Sequence, residues 1–248
     1  MSFRERVSIL ASALIVLPTL NEIENVERMV HTIRAQQSPL TTFDVLIVDD
    51  GSTDGTEQAA IRLTQEDTQV HLLERGRKLG LGTAYIAGFR HALEHGYDYV
   101  ATMDSDFSHD PKYLPAFVEA IQNADLVIGS RYVPGGGVRN WPLRRKILSG
   151  VANILARLVG GLKTHDGTTG YRLYRTEFLR KLELDRITSN GYSCLMELVF
   201  VCQKAGARIV ESPIIFTDRE AGQSKISHKE IFKAFATLYR LAKRRISE

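Results

Sequence analysis

Only two cysteines, no apolar run long enough to cross a bilayer and almost no excess of one charge mark this chain of 248 residues. Cys194 and Cys202 stand eight apart in a stretch with helical spacing, about 12 Å by helical rise and beyond disulfide reach. The thiols therefore fit a reducing, cytosolic setting. No segment holds the ~18 consecutive apolar residues that a membrane span requires. A net charge of +3 is too small to point to nucleic acid. Low-complexity tracts, fixed-period repeats and a Pro/Gly/Ser-rich linker are also missing, which leaves a single domain. With 44% hydrophobic residues the chain can fill one sizeable α/β core. FRERVSILASALIVL (3–17) places basic residues ahead of an apolar run in the manner of a signal peptide. Pro18 and the polar TLNE, however, stand where small cleavage-site residues belong.

What is present is an alternation of β-rich runs and helical patterns. ALIVL (13–17) precedes 22–36, FDVLIV (43–48) precedes 54–66, VHLLE (70–74) precedes 80–95, and YVATM (99–103) precedes 111–122 and DLVIG (125–129). This predicts an α/β fold with a mostly parallel, doubly wound, Rossmann-like sheet and helices on both faces. Such sheets gather ligands outside the carboxyl ends of their strands. The residues after each run are therefore the site candidates: Pro18–Glu22, Asp49–Asp50, Arg75–Lys78, Asp104–Asp106 and Ser130–Arg131. Beyond residue 132 come an apolar helical stretch (147–162), strand-like GYRLY (170–174), a helix near 192–205, IVESPIIF (209–216) and a final helix. This half reads as added strands and a second substrate surface.

Two acidic pairs stand out. Asp49 and Asp50 close a strand built for a core, yet an isolated Asp-Asp-Gly serves equally as turn punctuation. In MDSDFSHDP (103–111) Asp104 and Asp106 end a strand one residue apart, a spacing able to hold a hard divalent cation such as Mg2+ or Mn2+. Asp110 and Pro111 already supply the N-cap and first residue of the next helix, so the upstream acids are not needed there. His109, His165 and His228 lack metal-ligand spacing and read as surface or hydrogen-bonded residues. The glycine-rich KLGLG (78–82) lacks the Walker pattern, which argues against a P-loop ATPase.

Taken in order, ALIVLPTLNE (13–22), VDDGSTDGT (48–56), KLGLGTAYIAGF (78–89), MDSDFSHDP, GSRYVPGG (129–136) and FTDREAGQSK (216–225) resemble the family 2 inverting glycosyltransferases of GT-A fold. Within them the motifs look like those of the dolichol-phosphate or polyprenol-phosphate mannose synthases. The resemblance covers residues 13–230 or so and implies one domain, with a nucleotide-sugar half (13–132) and an acceptor and membrane-facing half (133–248). It implies that Pro18, Leu20, Glu22, Val48 and Asp50 line the nucleoside pocket, the second-strand carboxylate reading an N–H edge of the base. Asp104 and Asp106 would hold the metal, Ser108 would stand in its shell, and Ser105 would meet the ribose and diphosphate. Arg131 would lie between donor and acceptor. Arg219 and Lys225 would close on the donor diphosphate from a loop made flexible by Gly222. Leu20 stands where the family usually has an aromatic, and Ser105 replaces a common Ala. Asp166 and Arg172 match a segment near the acceptor cleft, with an internal ion pair as the alternative. Glu197 matches an acidic position, with a buried pairing role as the alternative.

The activity so implied is inverting transfer of mannose from GDP-mannose to a polyprenyl (dolichyl) phosphate at the cytosolic face of a membrane. The residues alone reach a nucleotide-sugar transferase with an anionic acceptor. A departing nucleoside diphosphate can be stabilised by a divalent ion with fixed Arg and Lys, in place of a general acid. A lipid phosphate, with a second pKa near ~6, is already anionic at neutral pH and needs cations, not a base. WPLRRKILSG (141–150) offers Arg144, Arg145, Lys146 and Ser149 at a helix start, and Arg145 and Ser149 join Arg131 as acceptor-phosphate candidates. A solvated basic face is the plainer reading. The apolar spacing at 147–159 suits a helix on a membrane, a lipid groove, or ordinary core packing. In residues 228–248, Ile231, Phe235, Leu238 and Ala242 form one stripe beside Lys229, Lys233, Arg240, Lys243, Arg244 and Arg245. That pattern reads either as an anchor on anionic headgroups or as packing against the protein body. A separate membrane-anchoring subunit is another route to the lipid. The rivals are transfer from UDP-glucose to the same lipid, a non-catalytic nucleotide-sugar-binding subunit, and a nucleotidyltransferase. The second is opposed by intact Asp104, Asp106, Arg131, Arg219 and Lys225, and the third by PTLNEIEN, which is no Gly-rich basic loop.

Overall fold

The computed structural model describes residues 10–189, 191, 193–218 and 228–247, except the side chains of 228–232, 246 and 247. In the first half the chain alternates β1 (Ala11–Thr19), α1 (Val26–Arg34), β2 (Thr41–Asp49), α2 (Thr56–Glu66), β3 (Val70–Glu74), α3 (Leu81–Glu94), β4 (Tyr99–Thr102), α4 (Leu114–Ile121) and β5 (Leu126–Ser130). The second half contributes β6 (Gly137–Arg139), α5 (Leu143–Leu158), β7 (Arg172–Arg175), α6 (Thr176–Leu179), α7 (Ser193–Lys204), β8 (Ile209–Pro213), β9 (Ile215–Thr217) and α8 (His228–Ser247). Seven strands form one sheet in the order β3-β2-β1-β4-β7-β5-β8, and β6 pairs with β9 separately. Neighbours in the large sheet run parallel except at β7, which is antiparallel to both β4 and β5.

The central strands are apolar without alternation because helices cover both faces. Ala13 to Leu17 are each 0% exposed. Leu14, Val16, Leu46 and Val48 pack with Phe89 of α3 and Leu198 of α7, whereas Ile15, Leu17, Val45 and Ile47 pack with Met29 and Ile33 of α1 and Phe117 of α4. Strand order reverses between β1 and β4, which opens a crevice at their carboxyl ends. Across that crevice the Ser105 hydroxyl donates to the Pro18 carbonyl at 3.4 Å.

The α/β class and every strand of the first half follow the sequence pattern, and the second half adds strands as expected, in places the pattern does not give. GYRLY becomes β7, reversed and inserted between β4 and β5. IVESPIIF divides into β8 of the large sheet and β9 of the small one. Pro213, lacking an N–H, closes the first ladder, and the next residue, Ile214, is buried. In α8, Leu238 and Leu241 are only 5% and 1% exposed, and the helix packs on α7. No helix among the described residues is long and apolar enough to cross a membrane. Cys194 and Cys202 are free and buried in α7.

Helix α3 meets the sheet at Gly88, where an added Cβ would lie 2.5 Å from Val16 Cγ2. In an open helix Ala would be better than Gly by about 1 kcal/mol. Here the overlap reverses the sign, because overpacking a filled core costs about 1–3 kcal/mol. Gly88→Ala is expected to lower the urea midpoint; an unchanged or raised midpoint would refute this packing.

Candidate active site

At the carboxyl edge of the sheet, Asp49 and Asp50 have separate jobs. Asp49, 1% exposed, accepts hydrogen bonds from Gly51 and Ser52 N–H at 2.9 and 2.8 Å and from the Thr19 and Ser52 hydroxyls. It builds the turn and closes β2. Asp50 faces the other way. Its Oδ1 pairs with Arg75, whose Nε lies at 2.6 Å, and its Oδ2 accepts the Leu79 and Gly80 N–H at 3.1 and 3.0 Å. The glycine-rich loop before α3 is thereby pinned to the end of β2. Beside it, Pro18 and Leu20 are half-buried and Glu22 takes the Asn25 amide at 3.1 Å. Val48 lies wholly inside the core, one residue beneath the edge.

The second acidic pair sits on a loop that folds back on itself. Asp106 is 4% exposed, and its Oδ1 accepts the N–H and hydroxyl of Ser108 at 3.1 and 2.6 Å. Ser108 thus fixes the orientation of this carboxylate. The Asp104 N–H donates at 2.9 Å to Nδ1 of His109, and the Asp104 side chain, 22% exposed, reaches the cavity described below. Tyr85 Oη stands 3.5 Å from Asp104 Oδ1. Gly170 closes over this point; a Cβ there would lie 2.9 Å from Tyr85 Oη. Asp110 caps the following turn through the Lys112 N–H, as the sequence implied. His109 is buried, and loss of hydration pushes its pKa down to about 3 despite the charge of Asp106, so the ring is neutral. The donor set at Asp104 and Asp106 is hard oxygen, which fits Mg2+ or Mn2+ completed by phosphate oxygens and water. Among the described residues no group of three His, Cys, Asp or Glu could hold a metal without such outside ligands.

Arg131 follows β5 and turns inward. Its Nε and Nη2 bind the two carboxylate oxygens of Asp166, each at 2.7 Å, and Nη2 also reaches Thr168 Oγ1 at 2.8 Å. Burial alone would raise the Asp166 pKa, but the Arg131 charge and its hydrogen bonds outweigh that and hold it below the usual carboxylate value. The alternative pairing of Asp166 with Arg172 is therefore not realised. Arg172, 0% exposed, instead donates to the carbonyls of Gly167 and Leu195 at 3.0 and 2.9 Å. Glu197 takes the buried pairing role: it accepts the Thr188 and Ser189 N–H groups and faces Arg244 at 3.4 Å.

Arg131, Asp104 and His109 form the polar end of a cavity of about 200 Å³. Arg145 and Ser149 of α5 stand on the same wall, with Trp141 just before the helix. Arg145 pairs with Asp218 at 2.6 Å and stacks 4.1 Å over the Trp141 ring. Ser149 accepts the Tyr132 hydroxyl at 2.8 Å. The opposite end is apolar, lined by Leu148, Val151 and Leu155 of α5, Met196 of α7, and Phe235 and Leu238 of α8. The structure thus brings Asp104, Arg131, Arg145 and Ser149 to one cavity and leaves Pro18, Leu20, Glu22 and Asp50 along the adjoining edge. Arg219, Gly222 and Lys225 lie outside the described residues. Trp141 escaped the sequence reading although it opens the basic segment, and His109 was set aside for want of ligand spacing.

Residues 14–183 match the family model described as glycosyl transferase family 2. The undecaprenyl-phosphate mannosyltransferase of Micrococcus luteus is 48% identical over 86% of this chain and 87% of that protein. The polyprenol monophosphomannose synthase of Mycolicibacterium smegmatis is 44% identical over 89% of this chain and 83% of that one. Among solved structures, glucosyl-3-phosphoglycerate synthase of Mycobacterium tuberculosis with Mn2+, UDP and glucosyl-3-phosphoglycerate superposes with a TM-score of 0.66 at 19% identity, over 94% of this chain and 80% of that one. The same enzyme with Mg2+ and UDP gives 0.65 at 18% identity over the same shares. At that identity the likeness speaks for the GT-A fold.

Removing the Asp166 charge strands a buried guanidinium, and breaking such a pair costs about 3–5 kcal/mol. Asp166→Asn is expected to lose that much in urea denaturation at neutral pH. Because the folded pKa of Asp166 is depressed, its contribution is present above the unfolded value of about 3.9 and lost as pH falls through the folded pKa. The gap between wild type and variant should therefore narrow in acid; a gap constant from neutral pH down to pH ~3 would contradict the pairing.

Proposed function

Since the chain belongs to glycosyl transferase family 2, we propose that it transfers mannose from GDP-mannose to a polyprenyl (dolichyl) phosphate with inversion, working at the cytosolic face of a membrane. The observation that carries this reading is a cavity with two unlike ends: Asp104, Arg131 and Arg145 at one, and aliphatic and aromatic side chains of α5, α7 and α8 at the other. A phosphate bearing a long hydrocarbon fits that division. The two polyprenyl-phosphate mannosyltransferases at 44–48% identity support the sugar and the acceptor.

In this reading the first half of the domain, through Pro18, Leu20, Glu22, Asp50 and Ser105, holds the nucleoside, and Val48, wholly buried, supports that edge from beneath. Asp104 and Asp106 would hold a divalent ion, Mg2+ or Mn2+, which supplies charge stabilisation to the departing diphosphate in place of a general acid. Ser108 keeps Asp106 in the orientation this requires. Arg131 and Arg145 hold the acceptor phosphate, with Ser149 beside them, and Arg219 and Lys225 contribute further cations to the donor. An acceptor oxygen attacks the anomeric carbon from the face opposite the diphosphate. The new C–O bond forms as the old one breaks, and GDP leaves with the electron pair. The acceptor is already ionised, so no side chain has to remove a proton.

Helix α5 supports a seat on the membrane. Its buried residues are Asn153 and Ala156, while Leu143, Ile147, Val151, Ile154 and Leu158 are 45–72% exposed, with Arg144, Lys146 and Arg157 also outward. The helix turns its apolar face away from the protein. Of the two readings of the C-terminal stripe, packing is favoured by Leu238, which is buried, and by Arg240 and Arg244, which bind Thr188, Ser189 and Glu197, while Phe235 lies at the cavity and is 55% exposed. α8 is a wall of the protein first, and deleting residues 240–248 would damage the fold.

Purified protein given a panel of nucleotide sugars and a short polyprenyl phosphate should transfer mannose from GDP-mannose; preference for UDP-glucose would replace the donor, and no transfer with any donor would favour a binding subunit. Asp106→Ala should lower turnover to less than about a tenth at saturating Mg2+ or Mn2+ while the protein stays folded by circular dichroism. Sedimentation with anionic liposomes should persist in high salt and be lost in Ile147→Glu/Ile154→Glu. Undiminished binding by that double variant would move the seat away from α5, and no binding by the wild type would call for a membrane partner.

A further inference from the structure

We infer that Trp141 and His109 are ligands of the phosphate group that enters this cavity, completing with Arg131 and Arg145 a cradle made of N–H donors. The inference rests on the acceptor reading above and adds two residues to it. Among the described residues, six buried side-chain nitrogen or oxygen atoms have no hydrogen-bond partner: Thr41 Oγ1, Thr164 Oγ1, Arg172 Nε, His109 Nε2, Trp141 Nε1 and Arg145 Nε. The last three belong to residues lining the one cavity. All three are donors. The indole and guanidinium nitrogens have no other option, and His109 carries its proton on Nε2 because Nδ1 accepts the Asp104 N–H.

The three are grouped around one ring. Phe216 lies 5.2 Å from the Trp141 ring, 5.3 Å from the His109 ring, 5.5 Å from the Arg131 guanidinium carbon and 6.0 Å from that of Arg145. Arg131 engages Asp166 and Thr168 through Nε and Nη2 and makes no hydrogen bond through Nη1 among the described residues. Four residues, each with an N–H that has no partner among the described residues, thus surround Phe216 and line the cavity. Proteins pair almost all buried N–H groups, so a cluster of unmatched donors marks where a ligand supplies acceptors. A sugar hydroxyl is a poor match, since it brings a proton that needs an acceptor too. A phosphate brings only oxygens, several of them charged.

Phosphate oxygens have two sources here, the acceptor's monoester and the donor's diphosphate. The monoester is favoured because the wall that carries Arg145 continues along α5 into the apolar channel through Leu148, Val151 and Leu155. A diphosphate tied to a nucleoside has no use for that channel.

Trp141 is the only tryptophan of the chain, so its emission reports on the proposed site directly. Titrating the full-length wild type with a short-chain polyprenyl phosphate should give a saturable emission change. The matching polyprenyl alcohol should give none, and neither should GDP with Mg2+. Trp141→Phe keeps a ring against Phe216 and Arg145 and removes the N–H. His109→Asn keeps an oxygen able to accept the Asp104 N–H and removes the Nε2 donor. Each is expected to raise the acceptor KM about tenfold, the scale of one lost hydrogen bond to a charged group, while donor KM and kcat stay within about twofold. Unchanged acceptor KM in both variants, with turnover intact, would overturn the cradle and leave the transferase reading standing. A rise in donor KM alone, or an emission change with GDP and Mg2+ only, would assign the donors to the diphosphate and overturn the acceptor assignment. A lower melting temperature with both KM values raised would reduce the two residues to packing and overturn it as well. If the wild type transfers no sugar, the transferase reading fails separately, and the contrast between phosphate and alcohol in the titration still decides whether the cradle exists.

Discussion

Arg131 and Asp166 meet with both side chains almost wholly out of water, and the second half of the molecule is arranged around that contact. Removing two charges from water costs several kcal/mol for each, so such a pair forms only where geometry is good and the remaining hydrogen bonds are satisfied. Both conditions hold here. The guanidinium addresses both carboxylate oxygens, the Arg131 N–H adds a third bond at 3.1 Å, and Thr168 takes a further donor. The loop that carries Asp166 is then tied from every side. Glu211 of β8 accepts the Asp166 N–H, Asn153 of α5 accepts the Gly167 N–H, and Arg172 of β7 takes the Gly167 carbonyl. Thr168, Thr169 and Gly170 are held against the cavity as a result.

One consequence is the inside-out character of α5. Its bond to the loop is made by Asn153, which also reaches back to the Ser149 carbonyl and Thr168 Oγ1. With an amide facing the protein, Leu148, Val151 and Leu155 border the cavity and Leu143, Ile147, Ile154 and Leu158 are left on the outer side. In a water-exposed helix that arrangement would be unfavourable. It becomes consistent when the helix borders both a hydrocarbon-lined cavity and a bilayer surface, since the same side chains then serve the channel and the seat.

How much of this could be read from the sequence depended on whether a residue acts along the chain or across it. The ends of β1, β2, β4 and β5 were legible because continuous apolar runs must stop where the sheet meets solvent, and Asp49, Asp104 and Arg131 stand just there. The Asp110–Pro111 cap was legible for the same local reason. The partner of Arg131 was not, because Asp166 lies 35 residues away on a loop placed by a reversed strand. Nothing in GYRLY distinguishes a parallel from an antiparallel strand. The amphipathic stripes of α5 and α8 look alike as patterns, and only packing showed that α5 turns Ile147, Ile154 and Leu158 outward while α8 buries Leu238 and Leu241. Trp141 and His109 carried no spacing signal, since their importance comes from hydrogen bonds they lack.

The acids and the bases of the site are treated differently by the fold, and this bears on why a metal and an anionic acceptor belong together. Every arginine at the cavity is given a carboxylate, Asp166 for Arg131 and Asp218 for Arg145. Positive charge is thus held in place at little net field, and its unused N–H groups act as directed hydrogen-bond donors more than as free charges. His109, whose Nδ1 lies 3.8 Å from Asp104 Oδ2, is neutral. The acidic corner offers hard oxygens to an outside cation, while the basic corner selects by geometry for a group rich in oxygens. A reaction that separates a diphosphate from a sugar on one side and attaches a phosphate on the other uses both corners at once, and the apolar walls between α5 and α8 raise the strength of each by keeping water away.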